Sequence, residues 1–505
     1  MPDPTRAAPA GRPLPTAGAA ALLLALLLAA PVASAQETGQ ETGFETGHET
    51  GGAAGQGGYL RLEGHGGPVK GVAVSPDGRL ALTASFDTAL GLWALPGGRH
   101  IAWLDGHEAA ANAALFLGQG RAVSAGDDFA LVLWDLDTAT PLRRFTGHRG
   151  KVIDAAISPD GQVIASASWD GTVGLWPVAG GEARFLKGHR ANVNDVAFAA
   201  RGEVLYSASY DGTIRRWDLT DDTRHGGDSV VVSHGFGVNH LVVHEPAGAS
   251  GWIAYGALDG TVRVRDLATG AALADLTADR KPILALAHDP AAGLMAVGDG
   301  EGHIMVVETA GWVIRRDFRA ALAGPIWALA WEPGTPDTPG RLLAGGLADE
   351  AALWPVADAM AEGSGDALFA GARPFHADPA TMTNGERQFV RKCSICHTLT
   401  PDGGRKAGPT LWGVFGRPAG TLPGYRFSDA LVDSDIVWSE ETIAALFREG
   451  PDIVTPGSKM PVQRITGEDD RRDLIAYLKA ETGVATAPGA KTTDDEKTED
   501  GQTRP

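Results

Sequence analysis

Cysteine is almost absent. Cys393 and Cys396 are the only two in 505 residues, so no second pair exists to complete a four-ligand zinc site. Excess positive charge is absent too: 43 Lys and Arg face 62 Asp and Glu, a formal net charge of −19. A nucleic-acid binder should show a basic patch, so that class fits poorly. Net negative charge keeps an exported protein soluble, and it could also steer a basic partner. Long apolar runs are scarce. Beyond residues 17–35, no stretch is long and apolar enough to cross a bilayer.

That one apolar run sits where an export signal would. Arg6 and Arg12 precede it, its centre is Leu-rich, Pro31 breaks it, and Ala33-Ser34-Ala35 offers a small-residue cleavage site. Residues 1–35 are therefore expected to be a signal peptide, leaving no stable membrane span and a periplasmic protein. The alternative is an uncleaved membrane anchor. Residues 36–58 follow, with Glu-Thr-Gly recurring from Glu37, Glu41, Glu45 and Glu49. Such a segment buries too little apolar surface to offset its ordering entropy, so a disordered linker is expected.

From there the chain repeats itself. Gly-His pairs end at His65, His107, His148 and His189, and each is followed by a tryptophan: Trp93, Trp134, Trp176 and Trp217. The spacing of 41 or 42 residues between histidines is the period of a four-stranded propeller blade. In the third repeat, Ser158-Pro159-Asp160-Gly161 reads as a turn. Residues 164–168 read as a half-buried strand, and residues 172–176 as the third strand of the blade. Three weaker repeats end near Asp266, Glu308 and Trp354, with Ser233-His234 standing in for one Gly-His pair. These marks resemble the WD-repeat β-propeller family. The resemblance implies seven blades over residues 59–357, with residues 59–63 completing the last blade. It also implies a buried hydrogen-bonded tetrad, which in the third repeat is His148, Ser166 or Ser168, Asp170 and Trp176. His234, His240 and His244 lie close in sequence, but their strand-like alternation points to scattered positions rather than a metal site.

The two cysteines are followed at once by His397. C-x-x-C-H is the pattern of c-type haem attachment, in which each thiol bonds a vinyl group and the histidine faces the iron. A redox-active disulfide is the bland alternative. Around this motif the chain resembles the class I cytochrome c family over residues 381–483. The matching segments are residues 384–389, 408–417, 423–430 with Trp438, 456–460 and 474–479. The resemblance implies a small all-α domain with one covalent haem c, ligated by His397 and Met460. It further implies that Pro409 accepts from His397, that Arg417 and Trp438 reach a haem propionate, and that Gly385 and Tyr477 pack where the first and last helices cross. Phe427, Leu431 and Leu446 depart from more polar residues common in the family, which thins the network beside Met460.

The chain is thus expected to be multidomain: signal peptide 1–35, linker 36–58, all-β seven-bladed propeller 59–357, linker 358–380, all-α cytochrome c domain 381–484 and disordered tail 485–505. The expected function is exported single-electron transfer with protein redox partners. The propeller is expected to dock a partner and not to bind nucleic acid. Two alternatives remain: a haem oxidoreductase with a catalytic propeller, and a propeller-based redox or ligand sensor.

Overall fold

The computed structural model describes residues 59–483, apart from 96, 221–226, 247–249, 278–281, 321–323, 334–339, 356–381, 459 and 461. The expected signal peptide, both linkers and the tail lie outside the described residues. Among those described, no helix is long and apolar enough to cross a membrane.

Twenty-eight strands form seven four-stranded antiparallel sheets, each a blade. Six blades are continuous in sequence. The seventh takes its inner three strands from Ile326–Glu332, Arg341–Gly346 and Glu350–Pro355, and its outer strand from Leu60–Glu63. Leu60 pairs with Leu353 and Glu63 with Glu350, so the start of the chain closes the ring as expected. Arg61 Nη2 donates to Glu350 Oε1 at 2.7 Å, and Tyr59 stacks on Trp354 with ring centroids 4.2 Å apart. Closure leaves no long unpaired edge.

The second strand of a blade differs from the sequence expectation. Val163–Ser168 is buried after its first residue, not on one face alone. Ile164 packs with Val123 and Leu131 of the preceding blade, while Ala165 and Ala167 pack with Val193 and Val196 of the next. Blades sandwich one another, so both faces are core.

Tetrads lock the first four blades. In the third, His148 lies 2.8 Å from both Asp170 Oδ2 and Ser166 Oγ, and Trp176 Nε1 donates to the same Ser166 Oγ at 2.8 Å. Ser166, not Ser168, is the tetrad member. Asp170 also accepts from Thr172 N with its other oxygen, which caps the turn at Gly171, φ 83°. His65–Thr83–Asp87–Trp93, His107–Ser124–Asp128–Trp134 and His189–Ser207–Asp211–Trp217 repeat the arrangement. Each tetrad satisfies a buried indole N–H and a buried carboxylate together. The fifth blade keeps the His234–Asp259 contact, at 3.1 Å.

Each innermost strand carries a bulge after its first residue, at Val69, Ala111, Val152, Val193, Val238, Ile283 and Ile326. Three bulged residues are asparagines that reach the next blade. Asn112 donates to the Val152 carbonyl at 2.9 Å, Asn194 to Val238 at 3.0 Å and Asn239 to Ile283 at 2.8 Å. These bonds tie the second blade to the third, the fourth to the fifth and the fifth to the sixth.

The helical domain has α1 (Asn384–Lys392), α2 (Asp429–Val432), α3 (Glu440–Glu449), α4 (Pro451–Val454) and α5 (Glu468–Glu481). Thr383 caps α1, and Ser439 with Thr442 forms a capping box on α3. The first turn of α5 carries Glu468, Asp469 and Asp470, which suit the positive end of a helix. Helices α1 and α5 cross at Gly385, where an added Cβ would lie 2.2 Å from the Asp473 carbonyl oxygen. Asn384 Nδ2 pins the crossing by donating to Asp470 and Asp473, each at 2.9 Å.

Candidate functional site

The site is assembled where α1 ends. The Cys393 N–H closes the helix on the Phe389 carbonyl, and the chain then turns: Cys396 and His397 donate their N–H groups to the Cys393 carbonyl at 3.0 and 2.9 Å. Both thiols are free. Burial pushes the Cys393 thiol up to about 12, with Cys396 adding and Lys392 opposing, and burial raises Cys396 as well.

His397 is oriented by the loop that follows. Its Nδ1 donates to the Pro409 carbonyl at 2.7 Å, which leaves Nε2 as the free lone pair. Burial lowers its pKa, and the Pro409 bond acts the other way. A neutral imidazole with a fixed tautomer is the form that ligates a metal. Gly408 makes room for it, since an added Cβ there would lie 2.4 Å from His397 Cε1.

Met460 stands on the far side of the chain's path, after α4. The turn there is set by Ser458 N donating to the Thr455 carbonyl at 3.0 Å. Met460 nevertheless packs in one apolar cluster with Cys393, Phe389, Val414 and Phe447. The cluster thus brings together a thiol and a thioether from segments more than sixty residues apart. Ser428 Oγ and Gln463 Oε1 are buried without a hydrogen-bond partner, as residues facing a polar edge of a bound group would be. Two thiols, one imidazole and one thioether form a donor set that suits haem c.

Arg417 and Trp438 are brought together by a short antiparallel contact, with Trp438 N donating to the Arg417 carbonyl at 3.0 Å. Arg417 spends Nη1 and Nη2 on the carbonyls of Trp412 and Thr410, at 3.0 and 2.9 Å. It braces the loop carrying Pro409. Leu446 is buried on α3, and Phe427 packs edge-on against Tyr425 at 4.7 Å.

Comparison with known proteins fits this geometry. Cytochrome c of Sesamum indicum is 41% identical over 106 residues, 21% of this chain and 95% of that protein. Cytochrome c of Gibberella zeae is 41% identical over 101 residues, 20% of this chain and 94% of its own. Cytochrome c2 of Blastochloris viridis is 41% identical over 96 residues, 19% of this chain and 74% of its own. The chain belongs to the cytochrome c family. Its cofactor is covalently bound haem c, and its cytochrome c domain is a haem electron carrier. Three stretches N-terminal to it, residues 59–94, 139–177 and 180–218, match the family described as WD domain, G-beta repeat. The protein is a fusion of a WD-repeat propeller and a cytochrome c.

The three neighbouring histidines of the propeller go to separate places. His234 meets Asp259, His240 lies 2.8 Å from Asp195 Oδ2, and His244 packs edge-on against His288 at 4.8 Å. Sequence reading missed Lys70 and Asp154, which line the central channel with His240, and Asp195, which lies beside His240. The signal was in the repeat. Counting from each Gly-His or Ser-His histidine, Lys70 stands five positions on, and Asp154, Asp195 and His240 stand six on.

Proposed function

We propose that the protein is exported, loses residues 1–35 and works in a periplasm as a monohaem carrier whose propeller docks its redox partner. The thiols of Cys393 and Cys396 would each bond one vinyl carbon of the haem. His397 Nε2 and Met460 Sδ would hold the iron, and Arg417 and Trp438 would hold a propionate. The haem would supply a one-electron iron couple, and two protein donors on the iron would favour electron transfer over ligand chemistry. The observation that carries this reading is the His397–Pro409 bond beside two cysteines in one turn that are not joined to each other.

Docking is supported by the rim of the propeller. Trp169 and Tyr210 occupy the same place in successive blades, just before the tetrad aspartate between the second and third strands, and are 41% and 44% exposed; Phe129, in the corresponding turn of the blade before them, is 43% exposed. Phe236 is close by, since its carbonyl faces Gly212, and it is 60% exposed. Clustered exposed aromatics mark interaction surfaces on soluble proteins.

The test replaces both cysteines with alanine. The variant should carry no haem after denaturation, while the parent shows only c-type bands. Haem that survives denaturation in the variant, or a second cofactor band in the parent, would overturn the reading. Export is tested by mass: the mature chain should begin at Gln36, and a chain retaining residues 1–35 in the membrane fraction would mean an anchor instead.

A further inference from the structure

The first blade, with strands from Val69–Val74 to Arg99–Asp105, differs at one corner from the three that follow it. In all four, the residue after the tetrad histidine donates its N–H to the tetrad aspartate: Gly66 to Asp87, Glu108 to Asp128, Arg149 to Asp170 and Arg190 to Asp211. Glu108, Arg149 and Arg190 are exposed, whereas Gly66 and Gly67 are buried. The Asp87 side chain is wholly buried too, while Asp170 keeps 12% of its own exposed. The cytochrome c domain covers this corner. Gly66 lies against the Arg405 carbonyl, with no room for a Cβ.

Arg405 also fills a gap in the first blade. In the second blade, Arg144 of the outer strand pairs with Val132 and donates Nη2 to Asp128 Oδ2 at 2.7 Å. The matching residue of the first blade, paired with Gly91, is Trp103. That tetrad therefore has no arginine of its own at this place, and the cytochrome c domain supplies one. The Arg405 guanidinium lies 4.6 Å from the centre of the Trp103 ring, and its Nε lies 3.9 Å from Asp87 Oδ2. Its Nη2 donates to Asp105, two residues beyond Trp103. Trp103 is a fixed platform, since it packs edge-on against His65 at 4.8 Å and Trp93 at 5.8 Å. A guanidinium suits such a seat because it can stack on a ring and bond carboxylates at once. Lys406 follows, and Asp349 of the seventh blade and Asp87 both act on its charge. Two cations of one domain thus meet three carboxylates of the other.

We propose that the first blade is the docking surface for the chain's own cytochrome c domain, with Arg405 as the anchor seated on Trp103 between Asp87 and Asp105. The gripped loop is the one that builds the haem site. Gly408 N donates to the Cys396 carbonyl at 2.7 Å, and the Pro409 carbonyl accepts from His397. The propeller therefore holds the domain by the edge next to its attachment cysteine. This surface is separate from Trp169 and Tyr210, which belong to the third and fourth blades.

The experiment is hydrogen–deuterium exchange of the full-length haem protein, read by mass spectrometry. Gly66→Arg puts at this corner the residue type that the third and fourth blades already carry there, so the blade itself should be undisturbed. It should speed exchange of residues 402–408 about tenfold or more, although they lie more than three hundred positions away. Residues 149–151 of the third blade should be unchanged. Asp105→Asn, at an exposed position, should have the same effect on residues 402–408. Arg405→Asp should free both that loop and residues 66–68, with the haem bands unchanged. Joining Arg405→Asp to Asp105→Arg reverses the ion pair and should bring back slow exchange at both places, whereas a loop that was merely damaged would stay fast. The proposal is overturned if residues 402–408 exchange equally in the parent, Gly66→Arg and Asp105→Asn proteins, or if the reversed pair exchanges as fast as Arg405→Asp alone.

Discussion

Gly385 of α1 runs so close to Asp473 of α5 that a single methyl group would overlap the Asp473 carbonyl. The Tyr477 side chain closes the same gap, 2.7 Å from that added carbon. Gly385→Ala must push the helices apart, and overpacking of this kind costs about 1–3 kcal/mol. Urea unfolding followed at the haem should show the unfolding free energy lowered by that amount and the midpoint lowered with it. An unchanged midpoint would mean that the crossing is slack.

Met460 packs against the cluster that holds Cys393, and its thioether is the donor proposed for the iron opposite His397. Met460→Ala should leave haem covalently attached, lower the reduction potential and let azide bind the ferric form more readily. It should also remove the weak ferric band at the red end of the spectrum. A parent spectrum that already lacks that band and shows high-spin iron would favour ligand binding or peroxidase chemistry instead.

The tetrads set the acid limit of the propeller. Burial raises Asp128, but the His107 bond and charge, the Glu108 N–H and Arg144 outweigh it and hold it at about 2. Asp211 is also held at about 2, by Thr213, the Arg190 N–H and His189 against burial. Unfolded aspartate titrates near ~3.9. A carboxylate with a depressed folded pKa contributes stability that is complete above the unfolded value and fades as pH falls toward the folded one. The thermal midpoint should therefore hold down to about pH 5 and drop between roughly pH 4 and pH 2. Asp128→Asn should shallow that drop and cost about 1–3 kcal/mol at pH 7. Circular dichroism melts of both proteins across pH decide it; an equally steep limb in the variant would assign the acid sensitivity elsewhere.

If the propeller supplies affinity, a chain trimmed to residues 359–485 should keep its spectrum and potential but deliver electrons poorly at low concentration. A flexible tether holds a domain near its target at about millimolar effective concentration. Raising the concentration of the trimmed chain should restore the rate. Equal rates at every concentration would remove docking from the propeller's role. In the full-length chain, Trp169→Ala and Tyr210→Ala should reproduce the loss without changing the haem.

The ring and the haem motif were legible in the sequence because each rests on local chemistry. Gly-His and Trp mark every strong blade, and Cys393, Cys396 and His397 are contiguous enough to read as one device. His148 and Trp176 found their tetrad partners because the repeat spaces them regularly. The choice between Ser166 and Ser168 was not legible, since both point to the same face of a strand and only the register against Gly174 separates them. Arg417 shows the same limit: its bonds go to carbonyls of its own loop, and backbone acceptors leave no mark in a sequence. The residues at the channel were hidden for another reason. Asp154, Asp195 and His240 are far apart in the chain, and they meet only because one column of the repeat circles a common axis.

The pairing of Leu60 with Leu353 makes the first strand the last to find its place. At about 5–20 residues made per second, the strand waits roughly 15–60 seconds for its partner to exist. Through that interval it is a loose edge that any open sheet could capture. Arg61 and Glu63 are unwelcome in most such pairings. Against Glu350 in the right register Arg61 is matched at 2.7 Å, and a slip of one residue would turn it into the core. The seam therefore ties the two ends of the ring in one register, marked by the Arg61–Glu350 pair, which exists only when the seventh blade is present.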